Sequence, residues 1–171
     1  MKTVQLFSLE NTLAAELLEK YEYPWLALGE IKNFILELGP TLDKNVYEQI
    51  DENVWAAKSA KIFASAFIGG PCIIGENTEV RHCAFIRSSA LIGNNCVVGN
   101  STEIKNSILF NNVQVPHYNY VGDSILGYKA HMGAGSITSN VKSDKTPVSV
   151  RMGEVRLDTG LKKLGALLGD G

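Results

Sequence analysis

The sequence has no long apolar run, no excess of one charge and few cysteines, and each scarcity removes a class of protein. No stretch approaches the roughly 20 apolar residues that a bilayer-spanning helix needs, so no membrane partner is expected. The 171 residues carry a formal charge of −2 with 20% charged side chains. That is an ordinary surface, with no electrostatic reason to expect nucleic acid or an anionic membrane. Cys72, Cys83 and Cys96 have neither CxxC nor His-assisted spacing, so no metal site is expected. The opening stretch MKTVQLFSLENTLAAELLEK turns acidic before any long apolar region develops, which argues against a signal peptide. An odd number of thiols without an export signal fits a reduced, cytoplasmic protein.

What is present is a helical head followed by a strict repeat. Over residues 1–53, Asn11 is placed to cap a helix running from Thr12 to Lys20. Pro24 starts a second helix, with Trp25, Leu28, Ile31, Ile35 and Leu38 at spacings of three and four, and Gly39-Pro40 ends it. Residues 40–53 read as a linker. From residue 54 the period changes. Ile62, Ile68, Ile74, Val80, Ile86, Ile92, Val98, Ile104 and Phe110 stand six apart. Two residues before each lies a small side chain, with Ile108 the exception, and glycine follows the large residue at 69, 75, 93 and 99.

Neither a helix nor a plain strand produces a period of six, whereas a parallel β-helix does. Each hexad supplies a short strand and a turn, the large aliphatic fills the bore, and glycine suits the tight turns. Residues 54–140 are expected to make about five such coils, with a two-residue shortening between Phe110 and Leu126. Residues 141–164 form a basic excursion, with a hairpin expected across Met152-Gly153, and residues 165–171 begin a further coil. With 18-residue coils, Arg87 and Lys105 stand in register, and two stacked cations favour an anionic ligand. The alternative is that both splay into water, balanced by Glu103. His117 falls one coil beyond Gly99. It is a general base if Asp123 or a backbone carbonyl orients it, and a structural turn residue otherwise. His82 and His131 carry the same ambiguity. Tyr118 and Tyr120 suit a sugar site or an oligomer face.

The hexads resemble the hexapeptide-repeat family, which implies an all-β, single-stranded left-handed parallel β-helix behind a small N-terminal helical segment. GNSTEIKNS, VPHYNYVGDSILG and MGAGSITSN resemble the acetyltransferase domain of bacterial N-acetylglucosamine-1-phosphate uridylyltransferase/glucosamine-1-phosphate acetyltransferase. The resemblance implies a homotrimer with the site in a cleft between subunits, and acetyl-CoA as co-substrate. It places the catalytic histidine on His117 and the sugar-phosphate ligands on Arg87 and Lys105. Tyr120 and Asn140 fall on acceptor-positioning residues.

The sequence departs from the family at His131, where an asparagine is usual, and at Val141, where a tyrosine is usual. No glycine-rich nucleotide loop is present, so nucleotide transfer is not expected. Lys142, Lys145 and Arg151 in the basic excursion are candidates for the CoA phosphates, the alternative being a solvated loop. The family's later coils, which help form the acetyl-CoA site, do not follow ALLGDG. The function expected is therefore N-acetyl transfer to an amino-sugar phosphate, glucosamine-1-phosphate-like. The alternatives are a non-catalytic β-helix module related to sugar nucleotidyltransferases, and an O-acyltransferase.

Overall fold

The structure is a computed structural model that describes all residues from Met1 to Gly171. Strands Val54–Ala57, Cys72–Ile74, Phe85–Ile92, Glu103–Leu109 and Tyr120–Leu126 stack in parallel in chain order. A second parallel stack comprises Lys61–Ile62, Glu79–Val80, Val97–Asn100 and Gln114–His117. Four full coils run from Val54 to Ser124, and the segment to Asn140 adds most of another. The architecture matches the left-handed hexapeptide β-helix expected from the sequence. Its bore residues Ile74, Val80, Ile86, Ile92, Val98 and Ile104 are fully buried.

The corners are made by side chains other than glycine. Asn77, Asn95 and Asn112 form one column of left-handed residues, with φ of 55, 55 and 63°. Cys83, Ser101 and Tyr118 form a second, and Ser89, Asn106 and Asp123 a third. Short polar side chains tolerate this region because they can hydrogen-bond locally. The glycines answer a different need. A Cβ at Gly99 would run into the backbone of Pro116, and one at Gly93 into Asn111 and Phe110. These glycines let successive coils approach closely.

The coil length shortens in two single steps. Ile86 pairs with Ile104, 18 residues on, but Ser88 pairs with Lys105, 17 residues on, leaving Arg87 in a bulge. The next coil is also 17 residues, since Lys105 pairs with Gly122 and Ser107 with Ser124. This shift explains why Ile108 breaks the small-residue pattern. Ser107 takes the small position opposite Ala90, and Leu109, not Phe110, stacks on Ile92. Phe110 moves one place outward and packs against Phe7 of the head, with ring centroids 5.2 Å apart.

A second apolar ladder, Ile73, Leu91, Ile108 and Ile125, alternates with the bore residues and is also fully buried. Alternate strand residues face opposite ways, so this ladder lies on the outside. The helix Ile31–Leu38 lies against the strands that carry it and buries Ile31, Phe34 and Ile35. The head is less helical than its pattern suggests. The expected Thr12–Lys20 helix shortens to Ala15–Leu18 after a 3₁₀ turn at Leu9–Asn11, and Thr12 Oγ1, not Asn11, accepts the Ala14 N–H at 3.1 Å. Pro24–Gly29 is 3₁₀. The expected linker contains a strand, Tyr47–Asp51, which pairs antiparallel with Val54–Ala57 and covers the first edge of the stack. A bare parallel edge invites wrong pairing, so a turned-back strand there protects it.

The basic excursion leaves the stack after Asn140 and is pinned where it returns. Leu164 N–H donates to the Asn140 carbonyl at 3.0 Å, and Gly165 N–H to the Asp123 carbonyl at 2.9 Å. Its hairpin pairs Ser149–Met152 with Val155–Asp158. Leu167–Leu168 then pairs with Ile125–Leu126, so the final hexad resumes the coil. Asp170 caps this return, accepting from Tyr128 N–H and Ser8 N–H, both at 2.7 Å.

Candidate active site

The residues that could do chemistry gather around the corner at Asp123. Register puts Gly122 beside Lys105 and Tyr120 beside Glu103 on adjacent strands. The Tyr120 ring lies over Gly122, where any side chain would displace it. Asp123 turns the corner with φ of 49° and is 4% exposed. Its Oδ1 accepts from Asn106 Nδ2 at 2.9 Å. Its Oδ2 accepts from Asn140 Nδ2 at 2.6 Å and from Lys105 Nζ at 3.4 Å. Asn140 Nδ2 also donates to the Tyr120 hydroxyl at 3.2 Å. Lys105, Tyr120 and Asn140 are thus joined in one network through Asp123.

Arg87 and Lys105 do not stack as two uncompensated cations. The bulge takes Arg87 out of register, and its guanidinium meets the Glu103 carboxylate at 2.9 Å. Each cation has its own anion, one pair exposed and the other mostly buried. His117 pairs with Asn100 instead of Gly99, because the shortened coil puts Pro116 over that glycine. The histidine is exposed, three residues from Tyr120 and across the corner made by Tyr118. Its imidazole has no hydrogen-bond partner, and Asp123, fully engaged elsewhere, does not orient it. The backbone of His117 is held firmly. Its N–H donates to Asn119 Oδ1 at 3.1 Å, and its carbonyl accepts from Gly135 N–H at 3.0 Å.

Asn119, 3% exposed, is the residue that sequence reasoning missed here. Its Nδ2 donates to the Gly133 carbonyl at 2.8 Å and so ties the His117 strand to the next coil. Its signal was available: it falls 17 residues after Thr102, the small bore residue of the previous coil. Lys142, Lys145 and Arg151 are exposed on the excursion, and Lys142 is paired with Asp144 at 3.5 Å. Outside the network, His82 stacks on Phe63 with centroids 4.3 Å apart. The largest cleft, about 510 Å³, lies between Pro40, Tyr47 and Trp55 at the first coil, away from this corner.

The cysteines take no part. Burial pushes the Cys72 and Cys96 thiols up to about 12, while Cys83 is exposed at a corner. A thiol whose native pKa is raised stays protonated and unreactive at neutral pH. Titration with a thiol reagent at pH 8 is expected to modify Cys83 alone in the native protein and all three cysteines in denaturant. Rapid native modification of Cys72 or Cys96 would mean that the bore opens.

Stacked hexads with a polar network at one corner define a hexapeptide-repeat β-helix protein. Residues 68–160 match the family described as GMPPB C-terminal domain, and the chain belongs to that family. It is similar to the bifunctional protein GlmU of Picosynechococcus sp., 42% identical over 112 residues, covering 64% of this chain and 20% of that protein. It is also similar to the bifunctional protein GlmU of Methanocaldococcus jannaschii, 41% identical over 64 residues, covering 37% of this chain and 15% of that protein. The chain therefore spans a fifth or less of the length of these relatives. Among solved structures, a hexapeptide transferase family protein from Anaplasma phagocytophilum matches with a TM-score of 0.32 and 20% identity, covering 49% of this chain and 69% of that one.

Proposed function

We propose that this β-helix transfers an acetyl group from acetyl-CoA to the amine of an amino-sugar phosphate of the glucosamine-1-phosphate type. The observation that carries the reading is a set of polar groups without protein partners, close to an exposed imidazole. Lys105 uses one of its three N–H donors, the Tyr120 O–H has no acceptor, and neither does Asn140 Oδ1 have a donor. Such a set suits a ligand that carries an anion, a lone pair and an N–H together. The likeness to bifunctional GlmU proteins supports the same reading.

In this reading His117 takes a proton from the sugar amine as its nitrogen attacks the thioester carbonyl. The C–N bond forms, the C–S bond breaks, and the imidazolium returns its proton to the leaving thiolate. Asn140 and Tyr120 hold the acceptor while Lys105 and Arg87 hold its phosphate. The Arg87–Glu103 pair does not prevent this. An exposed ion pair contributes about 0–1 kcal/mol, so a phosphate dianion can displace Glu103. Lys142, Lys145 and Arg151 contact the CoA phosphates, and the protein works as a cytoplasmic homotrimer.

One observation favours a second reading, a β-helix module without catalysis: both cations are already neutralised by carboxylates. Thiol release from acetyl-CoA in the presence of glucosamine-1-phosphate separates the two. The acetyltransferase reading expects release that saturates with the sugar phosphate. A rate equal to the no-acceptor background, across a panel of amino-sugar phosphates and in any longer natural form, favours the module.

A further inference from the structure

We infer that Asp123 sets the hydrogen-bond polarity of the acceptor site and thereby decides which groups a ligand must present to it. The ligand rests on the acetyltransferase reading; the polarity rests on geometry alone. Carboxylate oxygens accept and do not donate. With Oδ2 of Asp123 2.6 Å away, the Asn140 side chain must turn its NH₂ toward it, and the second N–H of that amide goes to the Tyr120 hydroxyl at 3.2 Å. Two consequences follow. Asn140 Oδ1 faces away from Asp123 as a free acceptor. The Tyr120 oxygen, already receiving a hydrogen bond, keeps its O–H as a free donor.

The same carboxylate holds Lys105, so one buried group aligns a cation, an acceptor and a donor. A matching ligand offers an N–H to Asn140, an oxygen lone pair to Tyr120 and an anion to Lys105. A neutral sugar lacking the amine leaves the Asn140 acceptor without its strongest partner. Asp123 is itself fixed from behind: Asn106 occupies Oδ1 at 2.9 Å, and the Gly165 N–H binds its carbonyl at 2.9 Å. It is a positioning residue, since it acts on the ligand only through Lys105, Asn140 and Tyr120.

The test compares Asp123→Asn with the double exchange Asp123→Asn plus Asn140→Asp in the full chain. The readouts are glucosamine-1-phosphate binding by calorimetry, thermal melting and amide NMR. Asp123→Asn sets an N–H against one of three donors, and affinity should fall about tenfold or more, as for a buried hydrogen bond left unmade. In the exchange, the carboxylate moved to position 140 accepts from the amide moved to position 123 and neutralises Lys105, so the buried bond and the melting temperature are restored. Tyr120 must then donate to that relocated carboxylate, its O–H is lost to the ligand, and affinity should stay about tenfold below wild type.

Full recovery of affinity by the exchange would overturn the inference, because a merely structural carboxylate works from either position. The wild-type Asn140 side-chain amide supplies a readout that needs no ligand. Its protons should be protected from exchange and shifted by Asp123→Asn, with the signal assigned by its loss in Asn140→Asp. Free exchange of that amide in the wild type would also overturn the inference. A protected amide in a protein that neither binds nor acetylates any amino-sugar phosphate would sink the acetyltransferase reading while leaving the polarity in place.

Discussion

Replacing His117 by alanine is expected to lower acetyl transfer by about 10²–10⁴-fold, the range that a general base contributes, while the melting curve stays unchanged. The two halves of this result have separate causes. The imidazole is exposed and makes no hydrogen bond, so its removal costs the fold nothing beyond the roughly 0.5 kcal/mol typical of surface changes. The strand beneath it is tied down through Asn119 and Gly135, so the ring is delivered to a fixed place. The pair of measurements is steady-state thiol release and thermal melting on wild type and variant. A loss of rate accompanied by unfolding would assign His117 a structural role. An unchanged rate would remove it from the chemistry.

Gly99→Ala should damage both stability and rate, although residue 99 has no side chain to contribute to either. A methyl group there meets the carbonyl oxygen, carbonyl carbon and Cα of Pro116, which is backbone and cannot rotate aside. Either the coil separates or the Gln114–His117 strand shifts. Overpacking of this kind costs about 1–3 kcal/mol, and more where backbone must move. A displacement near 1 Å at a reacting group lowers rate about 100-fold. Gly29→Ala is the control, since a Cβ there meets nothing within 4 Å. Urea denaturation should show Gly99→Ala well below wild type and Gly29→Ala within about 0.5 kcal/mol of it. Equal stability for all three proteins would contradict the close coil packing described here.

The hexads made the β-helix legible because burial in a bore imposes one large aliphatic per face of each coil. They did not reveal the coil length, since a one-residue bulge at Arg87 changes the register without interrupting the six-residue count. Phe110 shows this best: it keeps the count, leaves the bore and packs on Phe7. The covered outer face was readable too, as the runs CII at 72–74 and ALI at 90–92, which carry an apolar residue where other hexads carry a polar one. The head was harder. Its short 3₁₀ and helical turns are stabilised by packing on that face more than by their own pattern.

At the site, residue types were legible and pairings were not. Lys105, Tyr120 and Asn140 come together as their spacing suggests, but Glu103 and Asp123 neutralise the two cations, which no count of positive charges could show. Asp123 stood in the sequence as a possible orienter of His117. The left-handed corner turns its carboxylate toward Asn140 and Lys105 instead.

The most direct test of the central claim is a crystal structure of this protein with glucosamine-1-phosphate bound. The sugar is expected at the Asp123 corner, its amine within hydrogen-bond reach of Asn140 Oδ1 and facing the His117 imidazole, with the phosphate at Lys105 and Arg87. Sugar found only elsewhere, for instance in the Trp55 cleft, or an empty corner at saturating ligand, would contradict it.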